Sequence, residues 1–199
     1  MVNISCTGHR AFTAPATRVY VDFTFLQGEP TLFNSSQQHT GAATTPDQIW
    51  YAYTSDFITF TEAKPYIILN GTPVIDLTFL PLGGNEYIRY IKNETVTKVW
   101  AEYTNGGIFG SWQRLTADNT YVISDIAEGP LAFWDNQVAN KAHIFLDLYI
   151  SEKGYAAFET GNVRAGTLTR SSTNIPKLLK HGTVLPVNQA QYNRLTTLL

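Results

Sequence analysis

Three side chains able to hold and pass protons stand in otherwise apolar stretches of the chain. They are Asp76 in Pro73-Val-Ile-Asp-Leu-Thr78, Glu128 in Ile126-Ala-Glu-Gly-Pro130 and His181 in Leu179-Lys-His-Gly-Thr-Val184, at intervals of 52 and 53 residues. Two carboxyl groups drawn to one place form an acid–base pair, because a nearby carboxylate raises the pKa of its neighbour and lets it keep a proton near neutral pH. The interval also suggests what would draw them together. A four-stranded propeller blade takes about 50 residues. The innermost strand of each blade lines the central axis, so one residue per blade at equivalent positions converges there.

The rest of the chain has the make-up that such a fold requires. Its apolar stretches, at 48–53, 66–69, 74–80, 86–91, 98–103, 143–150 and 154–158, are short, aromatic or β-branched, and bounded by Gly, Pro, Asn or Asp. That pattern predicts strands throughout, hence an all-β fold: a β-propeller of about four blades, or an incomplete ring. No linker or low-complexity segment divides residues 1–199, which read as a single domain. Ser35 to Thr45 reads as an exposed polar loop. Only Asn188 to Leu199 suits a helical turn or two, with Ala190, Tyr192 and Leu195 on one face.

Composition narrows the function. The 199 residues carry 14 Lys+Arg against 16 Asp+Glu, with no basic run, so no nucleic-acid partner is expected. No apolar run approaches a membrane span, and none is expected. The lone Cys6 excludes an intramolecular disulfide framework, and His9, His39 and His143 have no mutual metal-ligand spacing. The first residues lack the basic-then-apolar order of a secretory signal. Four Asn-x-Ser/Thr sequons, at Asn3, Asn34, Asn70 and Asn93, lean toward an extracellular ancestor.

Seven segments in order carry a more specific signal. They begin with Leu32-Phe-Asn-Ser-Ser leading to His39-Thr-Gly, and Ile49-Trp-Tyr-Ala-Tyr-Thr-Ser-Asp-Phe-Ile-Thr-Phe-Thr-Glu62. Val74-Ile-Asp76, Tyr87-Ile-Arg89-Tyr-Ile-Lys92-Asn-Glu94, Glu128-Gly-Pro130 and Phe145-Leu-Asp147-Leu-Tyr149 follow, and Lys180-His181-Gly-Thr-Val-Leu-Pro-Val closes the series. Together these resemble glycoside hydrolase family 43, the five-bladed β-propeller arabinofuranosidases and xylosidases, and its fungal arabinosidase-like members in particular. The resemblance covers residues 32–195, with 1–31 a divergent N-terminal segment. It implies a carbohydrate partner containing arabinose or xylose, an extracellular setting and inverting hydrolysis. Glu128 would be the general acid and Asp76 the residue that tunes it. His181 and Arg89 would contact substrate or orient the carboxylates together with Lys92 and Glu94.

The same resemblance exposes a gap. Inversion needs a second carboxylate to activate water, about 6.5 to 9.5 Å from the acid, and the family's base lies in a first blade with no counterpart here. Asp22, 54 residues before Asp76, is the candidate substitute. Calcium occurs among family relatives, but no oxygen-ligand cluster is legible, so neither metal nor cofactor is assigned. Two functions follow: a short glycoside hydrolase, or a lectin-like propeller remnant that binds sugar without turnover. Trp50 and Tyr155, with Trp100 and Trp134, are the aromatic surfaces on which a sugar ring would stack. An incomplete ring also leaves open strand edges, which suggests a homodimer.

Overall fold

Alternating aromatic and β-branched residues punctuated by Gly, Asn and Pro fold into twelve strands among the described residues. The computed structural model describes residues 17–26, 29–38, 48–53, 59–117, 119–176, 178–184 and 186–197, the first two stretches as backbone. Strands β1 (Thr17–Leu26), β2 (Glu29–Gln38), β3 (Gln48–Tyr53) and β4 (Lys64–Ile68) form the first sheet. The second comprises β5 (Val74–Gly83), β6 (Glu86–Asn93), β7 (Lys98–Thr104) and β8 (Gln113–Arg114). The third comprises β9 (Glu128–Trp134), β10 (Ala142–Asp147), β11 (Tyr155–Thr160) and β12 (Thr169–Arg170). Each sheet is a four-stranded antiparallel meander in chain order.

The sheets stack face to face, and strand alternation assigns each residue to one of two layers. Ile49 and Ile67 of the first sheet meet Val74, Leu77, Phe79, Ile91 and Trp100 of the second. The opposite face of the second sheet, with Leu80, Ile88, Tyr90, Val99 and Ala101, meets Ala142, Ile144, Leu146, Ala156 and Phe158 of the third. The outer face of the third sheet, with Leu131, Phe145 and Ala157, is covered in part by Ile175 and Val184 from the segment that follows β12. β10 is buried along its whole length, as a strand covered on both faces must be.

The structure departs from the sequence-based expectation at four places. Ser35 to Gln38, expected in a loop, belong to β2, and the divergent N-terminal segment supplies β1 and the start of β2. Among the described residues there are three four-stranded sheets, and residues 171–188 add no strand. His181 therefore sits in a bend outside any strand. The expected helix forms as α1 (Gln189–Thr196), capped by the Asn188 side chain on the Gln191 N–H, but none of its residues is buried. Cys6, His9 and His39 lie outside the described residues. No described helix is long and apolar enough to cross a membrane.

The first strands of the second and third sheets carry the same local device. In β5 the register slips between Ile75, opposite Lys92, and Thr78, opposite Tyr90. In β9 it slips between Glu128, opposite Asp147, and Leu131, opposite Phe145. Each slip is a β-bulge with one extra residue on the inner strand, and each contains a residue at positive φ: Asp76 at 52° and Gly129 at 55°. The bulges make Asp76 equivalent to Gly129, and Ile75 to Glu128. The interval that links Asp76 with Glu128 in the sequence is thus one residue out of structural register.

Candidate functional site

The two bulges bring the acid–base residues together. β5 and β9 run side by side, joined at one end by the Gly129 N–H donating to Asp76 Oδ2 at 3.0 Å and at the other by the Trp134 indole N–H donating to the Pro81 carbonyl at 2.6 Å. His181 completes the group from the C-terminal segment. Its Nε2 lies 3.4 Å from Glu128 Oε1, its Nδ1 3.9 Å from Asp76 Oδ1, and its Nε2 4.0 Å from Asp147 Oδ2. The imidazole rests on Gly129, where a Cβ would stand 3.1 Å from its Cε1, so glycine is favoured there both by the positive φ and by the ring.

Lys92 closes the site from β6. Its ammonium, almost wholly buried, donates to Glu128 Oε2 at 2.7 Å and to Glu94 Oε1 at 2.8 Å. Burial works against the Lys92 charge, but the two carboxylates outweigh it and hold its pKa above the ordinary value. For Glu128 burial pushes the pKa up, while hydrogen bonds and charge from His181 and Lys92 pull it further the other way, down to about 2. Asp76 is the reverse. Burial dominates and raises its pKa, against the opposing pull of His181, the Gly129 N–H and Lys92. The sequence places the proton on Glu128, with Asp76 as the neighbour that raises it. In the structure the environments push the two groups apart in the opposite sense, because His181 and Lys92 both act on Glu128, whereas burial dominates at Asp76.

Other expected residues are distributed differently. Arg89, three residues before Lys92, points to the opposite face of β6. There it pairs with Glu102, its Nε 2.6 Å from Oε2, and lies over the rings of Trp112 and Tyr66. Trp50, on the third strand of the first sheet, donates its indole N–H to Gln48 and does not join the carboxylates. Trp100 is core, and offers no surface to a sugar. Tyr155 acts on the site indirectly: its hydroxyl accepts from the Gly182 N–H and its N–H donates to the Leu179 carbonyl, both at 2.8 Å, which pins the segment bearing His181. Asp22 lies mid-strand on β1, opposite Phe33, and its side chain is outside the described part of the structure.

One residue is absent from the sequence-based set. Asp147 is fully buried at the end of β10 beside the cluster, and neither of its carboxylate oxygens accepts a hydrogen bond. A carboxylate interrupting the apolar run Ala142-His-Ile-Phe-Leu-Asp-Leu-Tyr-Ile150 is the signal that marks it, since an isolated charge rarely enters such a run without a partner.

Asp76, Glu128 and His181 each offer one ligand atom, all within 4.8 Å of one another. Calcium takes about six to eight oxygen ligands. Here the set contains an imidazole nitrogen and one oxygen from each carboxylate, while the second oxygens already receive Lys92 and the Gly129 N–H. These residues do not fit calcium.

Comparisons with known proteins agree on the fold. The chain is similar to an α-L-arabinanase of Penicillium chrysogenum, solved with arabinobiose, at 16% identity and a TM-score of 0.53, covering 84% of this chain and 48% of that one. It is similar to a protein of Parabacteroides distasonis assigned as a glycoside hydrolase, at 14% identity and a TM-score of 0.54, covering 83% and 53%. An assigned exo-β-1,3-galactanase of Bifidobacterium bifidum S17 matches at 11% identity and a TM-score of 0.51, covering 75% and 50%. This chain thus spans about half the length of the structures it matches. No curated protein matches it. The family model described as a probable glycosyl hydrolase domain, of the glycosyl hydrolase 43-related type, matches residues 23–193, and the chain belongs to that family.

Proposed function

We propose that this chain is a glycoside hydrolase domain acting on arabinofuranosyl or xylosyl bonds, with Glu128 and Asp76 as its carboxyl pair. The observation that supports this reading is the meeting of Asp76, Glu128 and His181, from three separate stretches of an all-β chain, around one partly open imidazole. In this reading Glu128 delivers a proton to the departing sugar oxygen. To do so it must take up a proton and loosen its pairing with Lys92. Asp22, or a carboxylate from another chain, activates water. An incomplete ring, with a homodimer formed through its open strand edges, belongs to the same reading, and sedimentation tests the homodimer.

The alternative reading is a sugar-binding module without turnover, in which Glu128 stays paired with Lys92. Hydrolysis of p-nitrophenyl α-L-arabinofuranoside and β-D-xyloside by the wild type and Glu128→Gln separates the two. The hydrolase reading expects release that falls by about 10² to 10⁴ in the variant. No release from a folded wild type, with arabino- or xylo-oligosaccharide binding intact in both proteins, establishes the binding module.

A further inference from the structure

The bulged openings of the second and third sheets have a counterpart beyond the third. Ile75–Asp76 and Glu128–Gly129 are equivalent by register, and Asp76 and Gly129 have positive φ. A further 52 residues on, Lys180–His181 repeats the pattern, with His181 at φ 45°. The residues opposite these openings are equivalent too: Lys92 stands across from Ile75 on β6, and Asp147 across from Glu128 on β10. Lys92 pairs with Glu94 at the end of its own strand and also reaches the opening of the next unit, Glu128, at 2.7 Å. Asp147 does the same one unit later, its Oδ2 3.3 Å from Lys180 Nζ. The two contacts are one contact repeated with the charges exchanged.

We propose that Asp147 and Lys180 form a clasp that seats the segment bearing His181 on the third sheet, as Lys92 and Glu128 clasp the third sheet to the second. Lys180 and Asp147 are then positioning residues for the site. Burial makes the argument sharp. Asp147 is wholly inaccessible and accepts no hydrogen bond, so the positive charge of Lys180, with the His181 ring beyond it, is what offsets its desolvation among the described residues. The segment lies mostly at the surface. From Leu178 to Thr183 its residues are exposed except Leu179, Leu178 and His181 both take positive φ, and its backbone is fixed by the two hydrogen bonds to Tyr155. Gly154 receives the strap closely: a Cβ there would stand 3.1 Å from the Leu178 nitrogen.

The clasp rests on the reading of Glu128, Asp76 and His181 as the site only for what it positions, and its test reads the segment itself. Amide hydrogen exchange of Tyr155 and Gly182, the two donors that tie the strap, is measured by NMR in wild type, Lys180→Met and the double variant Lys180→Met/Asp147→Asn. Lys180→Met keeps the aliphatic stem, removes the ammonium from an exposed position, and strands a buried carboxylate. Exchange at both amides is expected to quicken about tenfold, and to return to within about threefold of wild type in the double variant, where no buried charge is left uncompensated. A purely steric role for either residue would make the double variant worse than the single. Unchanged exchange in Lys180→Met, or a double variant as fast as the single, overturns the clasp. Failure of Glu128→Gln to reduce hydrolysis would overturn the site reading and leave the clasp standing.

Discussion

β6 carries two cations three residues apart, and they live in different worlds. Lys92 faces the third sheet, where it meets Glu128 and Glu94; Arg89 faces the first, where it meets Glu102 beneath the rings of Trp112 and Tyr66. Both ion pairs are largely buried, and each exchanges hydration for a partner. Only one borders the cluster that gathers residues from several units. A strand sends successive side chains to opposite faces, so an odd separation divides residues that look like one polar set in the sequence. The contrast teaches that proximity in a strand is poor grounds for a shared role, whereas equivalence between strands is good grounds.

Substitutions break the comparison most strongly at the cations themselves. Lys92→Met strands Glu128 and Glu94, and Arg89→Met strands Glu102, in largely buried settings, and each is expected to cost about 3 to 5 kcal/mol in urea unfolding. They part company at the site. Lys92→Met frees Glu128 from its nearest positive charge, so the Glu128 carboxyl titrates higher by 13C NMR; Arg89→Met leaves that titration where it was. Equal effects of both on Glu128 would mean that the two faces are not electrically separate.

Acid sharpens the contrast between the two carboxyls. Glu128 has a pKa lowered from 4.5 to about 2, so its contribution to stability is present above pH 4.5 and is lost as the pH falls toward 2. Asp76, raised by burial, acts with the opposite sign: its ionisation above the ordinary value of 3.8 weighs against the folded state, and acidification relieves it. Glu128→Gln should therefore flatten the loss of stability between pH 4.5 and 2, followed by thermal unfolding, while lowering stability at neutral pH. Asp76→Asn, which keeps an oxygen for the Gly129 N–H, should be neutral or stabilising at pH 7. A destabilised Asp76→Asn would show that the aspartate charge, and not its oxygen, holds Gly129.

The smallest of these effects tests the seat of the imidazole. Gly129→Ala puts an L side chain at φ 55° and a Cβ against the His181 ring, which is expected to cost about 1 to 2 kcal/mol and to shift the His181 ring resonances. Gly161→Ala, where a Cβ would meet nothing, is the control.

Much of the scaffold is legible in the order of residues. The strand expected at Gln48 to Tyr53 has the bounds of β3, and the stretches beginning at Val74, Glu86 and Lys98 mark β5, β6 and β7, because aromatic and β-branched runs between turn residues have few other ways to fold. Glu128 and Asp76 are legible as polar intrusions in such runs, and the resemblance in residues 32–195 agrees with the family match over 23–193. Asp147 carries the same mark.

What the chain order alone determined is the alternation of faces, the approximate unit length and the residues able to do chemistry, since these are properties of neighbouring residues along one backbone. The tertiary structure decided who meets whom. A one-residue bulge made Gly129, not Glu128, the equivalent of Asp76, and the stacking of one sheet on the next brought Lys92 to Glu128. The pKa order of the two carboxyls followed from that meeting, because burial and charge act through space on groups that the sequence keeps some fifty residues apart.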